Sequence, residues 1–167
     1  YRFTIDDAAA FANAPDFIKA SFKTKDTASL QHKALLLLQD ILKFHIADAN
    51  PDALIDADLV RLNFVNSNAV LDGKEKLFEE ALLAIEQKYT NNPAIAQAMY
   101  LRGSIYYTRG QEFEPFSKIQ NQFEIKRAKD LFEVIYARFP RSEGGINAKN
   151  AIGQIEQPSL NIETEKV

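Results

Sequence analysis

Cysteine is absent from the 167 residues. Disulfides, thiolate zinc sites and cysteine nucleophiles are therefore excluded. A surplus of positive charge is also missing: 20 Lys and Arg face 23 Asp and Glu, for a net charge of −3. A nucleic-acid binder needs a basic face to displace counterions from phosphates, and a membrane-surface binder needs a polybasic patch. Neither is present. Long apolar runs are lacking too. The longest, Ala34 to Leu38, is far short of the roughly 18–20 residues of a membrane-spanning helix. Gly-x-Gly-x-x-Gly, a phosphate loop and Gly-x-Ser-x-Gly do not occur.

What remains is apolar content near half of the chain, enough to build a core in one domain of ordinary size. The chain opens with Tyr1-Arg2 rather than Met and shows no signal peptide, so the expectation is a segment of a longer protein. Residues 1–26 are the least regular. Tyr1 to Ile5 alternates like a short extended segment, and Asp6-Asp7 then caps a short helix through Phe11 that stops by Pro15.

From about 27 to 47 the pattern is strongly helical. Leu30, Ala34, Leu38, Ile41 and His45 mark one face, and Leu35, Leu36, Leu37, Leu42 and Ile46 widen it. A helix apolar nearly all round is expected between neighbours, at the centre. Asn50-Pro51-Asp52 restarts a helix carrying Ile55, Leu59, Leu62 and Val65. Asp72-Gly73-Lys74-Glu75 reads as a capping box for a helix to Tyr89, with Leu77, Phe78, Ala81, Leu82 and Ile85 inward. A further helix runs from Pro93 and ends at Gly110. Residues 111–123 form a polar loop. A helix from Glu124 to Arg138 follows, stopped by Pro140, and Ser142 caps a last one with Ile146, Ala148, Ala151, Ile152 and Ile155 inward. Leu160, Ile162 and Thr164 then alternate at a strand period.

The fold class predicted is all-α: antiparallel helical hairpins of the tetratricopeptide-like kind over 1–157, with a strand at 158–167 leading into a following β-sandwich. The repeat spacing carries it. Ala128, Phe132, Ile135 and Pro140 fit the second helix of such a unit, and Ala81, Ile85, Lys88 and Pro93 fit again with Lys88 the weak member. Tyr100, Ser104 and Tyr107 fit the first helix. Small residues let two helices approach, and large ones fill the groove between hairpins. The loop at 111–123 is about a dozen residues longer than the motif's tight turn.

Candidate chemistry is sparse. Asp48, Asn50 and Asp52 have EF-hand spacing, but Ala53 replaces the required Gly and Leu59 the required Glu. Capping and a solvated acidic face that includes Asp56 and Asp58 is the expectation instead. His32 and His45, thirteen residues apart, fall on different helix faces. No catalytic residue, metal or cofactor is predicted. Tyr100, Tyr106, Tyr107, Phe113 and Phe116 cluster around the long loop. They suit a rim for a peptide or sugar, or packing between hairpins that pins the loop. The second is the expectation.

The stretch Lys33-Ala34-Leu35-Leu36-Leu37-Leu38-Gln39-Asp40-Ile41-Leu42-Lys43-Phe44-His45, with Pro51 to Leu59 and Arg61-Leu62-Asn63-Phe64-Val65, resembles the N-terminal helical region of large bacterial alpha-2-macroglobulin-like proteins. Glu156-Gln157-Pro158-Ser159-Leu160 resembles the junction to that family's first β-sandwich domains. The resemblance runs from about residue 21 onward. It implies an exported, periplasmic or outer-membrane-associated protein that entraps proteases. The trapping parts, a bait segment and in some members a Cys-x-Glu-Gln thioester, do not lie in this chain. The expected role is a non-catalytic scaffold or docking domain, a monomer by default, whose partners are the rest of its own chain and proteases or another envelope protein. The alternative is a peptide- or glycan-binding domain of an outer-membrane lipoprotein, motivated by the long loop and its aromatics.

Overall fold

A computed structural model describes residues 2–157 of the chain. The protein is all-α, and no helix is long and apolar enough to cross a membrane among the described residues. Seven α-helices follow one another there: α1 Ala14–Lys19, α2 Leu30–His45, α3 Asp52–Asn68, α4 Lys74–Lys88, α5 Ile95–Gln111, α6 Glu124–Arg138 and α7 Glu143–Ile155. Two 3-10 turns, Ala8–Phe11 and Ile119–Asn121, accompany them. The terminal alternation and the domain boundary at 158 lie outside the described residues.

The first residues do alternate, with Phe3 and Ile5 buried and Arg2 and Thr4 exposed. Their backbone makes one isolated parallel bridge between Ile5 and Ala69, in which Val70 N–H donates to the Ile5 carbonyl at 3.0 Å. The short helix is capped by Asp7 and stops at Phe11, ahead of Pro15, which opens the next helix. Asn13 accepts from Asp16 N–H at 3.1 Å, and Pro15 sits in the first turn of α1. There its missing N–H has no partner to lose. At the two Asn-Pro pairs the side chain instead closes a turn ahead of the helix, Asn50 accepting from Asp52 N–H at 3.1 Å and Asn92 from Ala94 N–H at 2.8 Å, while Pro51 and Ala94 take the cap positions that the sequence suggested for the asparagines. The side-chain amide of Asn92 also donates to Asp52 at 2.7 Å, which ties the two restarts together at one end of the bundle.

Several sequence expectations need correction. α2 is peripheral, not central. Its main packing partners are α1 and α3, and its outward face keeps Leu30 79 % and Phe44 77 % exposed. A wide apolar arc reports that a face is apolar, and only the arrangement of neighbours decides whether it is covered. Asp72 does not cap α4. Gly73 takes that place in a left-handed conformation, φ 71°, with no side-chain cap. Gly110 does not end α5 as a C-cap. It is a buried helical residue, and a Cβ there would lie 2.5 Å from Ile125. Ile146 points outward, because α7 packs through Gly144, Gly145 and Ala148 instead.

Helices consecutive in sequence pack against each other from α1 to α7, and α5 also touches α7. Phe78, Leu82, Ile95, Met99, Ala128, Phe132, Ile135 and Ala148 supply the core of this second half. Ser142 caps α7, accepting from Gly145 N–H at 3.0 Å.

Candidate functional site

Three regions carry the polar and exposed groups from which a site is built. The first lies between α4, α5 and α6. Arg102 grips Glu86 with two hydrogen bonds, at 2.8 and 2.6 Å. Its third nitrogen donates to the Tyr106 hydroxyl at 2.8 Å, and Arg127 donates to the same oxygen at 3.0 Å. Tyr106 O–H donates in turn to Glu79 at 2.8 Å. One donor and two acceptor sites complete a phenol's capacity, so this hydroxyl is saturated. Arg109 continues the chain to Glu79 at 2.8 Å and Glu75 at 2.5 Å. The Arg127 guanidinium also lies over the Tyr106 ring, 3.7 Å from its centroid, a cation–π geometry.

The surroundings move the titration of these groups further from neutral pH. Burial would raise Glu79, but hydrogen bonds from Tyr106 and Arg109 win and hold it below its ordinary value. Glu86 pushes Arg102 further up, and burial raises Tyr106. A general acid or base works best with a pKa near the operating pH, the opposite of this arrangement. The network can lock three helices in register and keep its charges.

The second region is the buried pair of α3. Arg61 is fully buried, and Asp58, expected on a solvated face, is buried beside it. Arg61 donates to one Asp58 oxygen through two nitrogens, at 3.0 and 2.5 Å. It also donates to the Ala10 carbonyl at 2.6 Å and stacks 4.6 Å from the Phe17 ring centroid. Burial pushes the Asp58 carboxyl up and the Arg61 guanidinium down, each against the pull of its partner. The adjoining hollow, lined by Asp58, Arg61 and Tyr89, is about 40 Å³, room for little more than a water at about 30 Å³ each. What Arg61 holds is the N-terminal segment.

The third region is the open side of α5. Tyr100, Ser104 and Tyr107 line a cleft with Phe132, Ala151 and Ile155. At about 60 Å³ it admits a side-chain tip but no sugar ring. Tyr100 packs on Phe132 with ring centroids 5.5 Å apart. The close approach of α5 to α6 falls one residue before Ser104: a Cβ on Gly103 would lie 2.5 Å from the Phe132 ring. Ser104 instead turns its hydroxyl back to the Tyr100 carbonyl at 3.0 Å.

The other repeat positions sort by depth. Ala128, Phe132 and Ile135 are buried against α5 and its neighbours, Ile85 is buried, and Ala81 is half-buried. Pro93 and Pro140 are exposed at helix starts and stops, and Lys88 lies over the Tyr89 ring. The rings around the long loop divide. Tyr106 is buried and Tyr100 and Tyr107 are half-buried, but Phe116 is 99 % exposed and Phe113 and Phe123 are exposed as well. The two phenylalanines of the predicted cluster do not pin the loop, because the loop runs outside the bundle.

Two members of the acidic run, Asp48 and Asp52, are taken up by protein partners. Asp48 pairs with His45 at 2.7 Å, and Asp52 meets Asn50 and Asn92. His32 lies 2.7 Å from the Phe22 carbonyl and 5.0 Å, ring to ring, from Phe3. No group of three or more His, Asp or Glu side chains able to hold a metal forms among the described residues. No family model matches the chain, and no curated protein and no solved structure matches it.

Sequence reasoning missed Gly103, Tyr106's network and the depth of Arg61. Asp58 and Arg61 stand at i and i+3, a pairing signal, but the signal does not distinguish a surface pair from a buried one.

Proposed function

We propose that the chain is a non-catalytic, tetratricopeptide-like interaction domain of an alpha-2-macroglobulin-like envelope protein, acting as a scaffold or docking unit within a protease-trapping system. The observation that carries the interaction role is how the two kinds of side chain are spent. The central charges are consumed by each other between α4, α5 and α6, and are driven away from neutral titration. Apolar side chains are left for contact on the long loop, at Phe116, Ile119 and Phe123. An exposed cluster of large apolar residues marks an interaction surface on a protein. The contact of α5 with both α6 and α7 supports the repeat reading, since stacked hairpins bring alternate helices together. The envelope location and the trap rest on the sequence resemblance alone.

The test uses the protein extended past Val167 through its following domains. It is incubated with a trypsin-like protease, with and without residues 1–157, and the products are weighed as intact complexes. A complex that forms with the domain and weakens without it supports the reading. Absence of any complex in both forms removes the protease-trap part.

The exposed phenylalanines also favour a second reading, a peptide- or glycan-binding domain of an outer-membrane lipoprotein. Phe116→Ser would then abolish binding of peptide or oligosaccharide, read by calorimetry. No heat with either ligand class for the unaltered chain removes this reading.

A further inference from the structure

We propose that the chain forms a twofold-symmetric dimer through α2, with the two helices antiparallel and Leu37 on the axis. The outward face of α2 carries Leu30, Leu37, Ile41 and Phe44, all exposed. At about 100° per residue these four share one narrow stripe along the helix. A stripe of four such side chains is on the order of a few hundred Å², comparable to the largest apolar patch on a typical monomer, which is often functional.

The order of residues along the stripe selects a second copy as occupant. Leu30 and Phe44 each stand seven residues from Leu37, one before it and one after. In an antiparallel pair centred on Leu37, a residue n positions before the axis faces the residue n positions after it in the other copy. Leu30 of each copy therefore meets Phe44 of the other, a medium side chain against a large one, at both ends. Leu37 meets itself. The face is complementary to its own rotated image, which is what a twofold interface demands.

The flanking charges fix the direction. Lys33 and Asp40, seven residues apart, lie on the same side of the stripe, and both are exposed with no ion pair inside the chain among the described residues. In the antiparallel pair this flank meets itself reversed, so Lys33 of one copy falls beside Asp40 of the other, twice by symmetry. A parallel pair would carry this flank to the opposite side of the seam in the partner, where Lys33 meets Ala34 and Leu38 instead of an acid. Opposite charges flanking an apolar seam set orientation in helix pairs. The N-terminus of α2 is also clear of α3 and α1 at Leu30, so the end of the stripe is open. The contact is small beside the roughly 800 Å² per partner of a standard interface, so the pair belongs with weak, transient associations.

The test is sedimentation equilibrium of the chain over a concentration series. The unaltered chain should pass from monomer to dimer as concentration rises. Leu37→Glu puts two carboxylates on the axis and should abolish the dimer, while its melting temperature at concentrations where both chains are monomeric stays that of the unaltered chain because Leu37 is exposed. Asp40→Lys should weaken the dimer about tenfold, and adding Lys33→Asp should restore it. Leu37→Cys, in a chain with no other cysteine, should cross-link to a dimer under mild oxidation. A chain that stays monomeric throughout, a dimer that survives Leu37→Glu, or a charge reversal that fails to restore binding each overturns the proposal.

Discussion

The two halves of the molecule are held together by different means. Up to α3 the chain contains no glycine, and all six glycines stand at position 73 or later. In the first half, irregular backbone is tied to helices by long polar side chains. Arg61 holds the Ala10 carbonyl, Gln39 holds the Phe17 and Ala20 carbonyls at 2.7 and 2.9 Å, and His32 lies against that of Phe22. In the second half, helices touch almost backbone to backbone. A Cβ on Gly144 would sit 2.1 Å from the Ala96 carbonyl carbon, and one on Gly145 1.9 Å from the Phe139 oxygen. The difference follows from what each half must satisfy. Irregular segments leave carbonyls that need donors when buried, whereas regular helices satisfy their own backbone and need only shape.

The largest test of that contrast is Arg61→Leu. It leaves Asp58 buried without its counter-ion and the Ala10 carbonyl without a donor. A loss of about 3–5 kcal/mol is expected in urea unfolding. Hydrogen exchange should rise first in residues 2–20, and equal loosening of α5 to α7 would break the contrast.

Gly144→Ala tests the second half. The new methyl meets backbone that cannot rotate away, so a loss of about 1–3 kcal/mol is expected. Gly153→Ala, on the same helix with nothing within 4 Å, should instead gain about 0.5–1 kcal/mol from helix propensity. Thermal melting of both variants reads the sign directly, and the same sign in both would refute the close-packing account.

Tyr106→Phe removes the hydroxyl shared by Arg102, Arg127 and Glu79. The expected loss is about 1–2 kcal/mol. Glu79→Gln sharpens the electrostatic side. A carboxylate held below its ordinary value stabilises the fold above that value, and the contribution disappears as pH falls through the depressed one. The variant should therefore melt lower than the parent near neutrality and lose less on acidification below the usual carboxylate range. A difference in melting temperature that is constant with pH would contradict this.

The smallest effect belongs to Phe116→Ser. A fully exposed ring on the outer loop contributes little to folding, so stability should stay within about 0.5 kcal/mol. A larger loss in calorimetry would mean that the loop is part of the packing after all.

Much of the fold was legible without coordinates. The helix spans from Asn50 to Ile155 follow Asn-Pro restarts, Ser142 and Pro140, each a local backbone signal acting within four residues. The inward faces of α3, α4 and α6 follow their periodicity. Errors fall where a residue has two uses. Gly73 and Asp72 stand side by side, and the glycine's freedom rather than the carboxylate starts α4. Gly110 resembles a helix stop but serves contact with Ile125, which lies beyond a loop of more than ten residues.

By itself the sequence determined the all-α class, the order of helices and the excluded chemistries, because caps, periodicity and missing residue types act locally or through composition. Tertiary structure alone decided which apolar face of α2 stays open, that Asp58 and Arg61 are buried, that Gly103 rather than Ser104 receives Phe132, and that Tyr106 gathers Glu79, Arg102 and Arg127. Each of these depends on distances between residues far apart in the chain, and such distances are set by how the helices pack rather than by the spacing within any one of them.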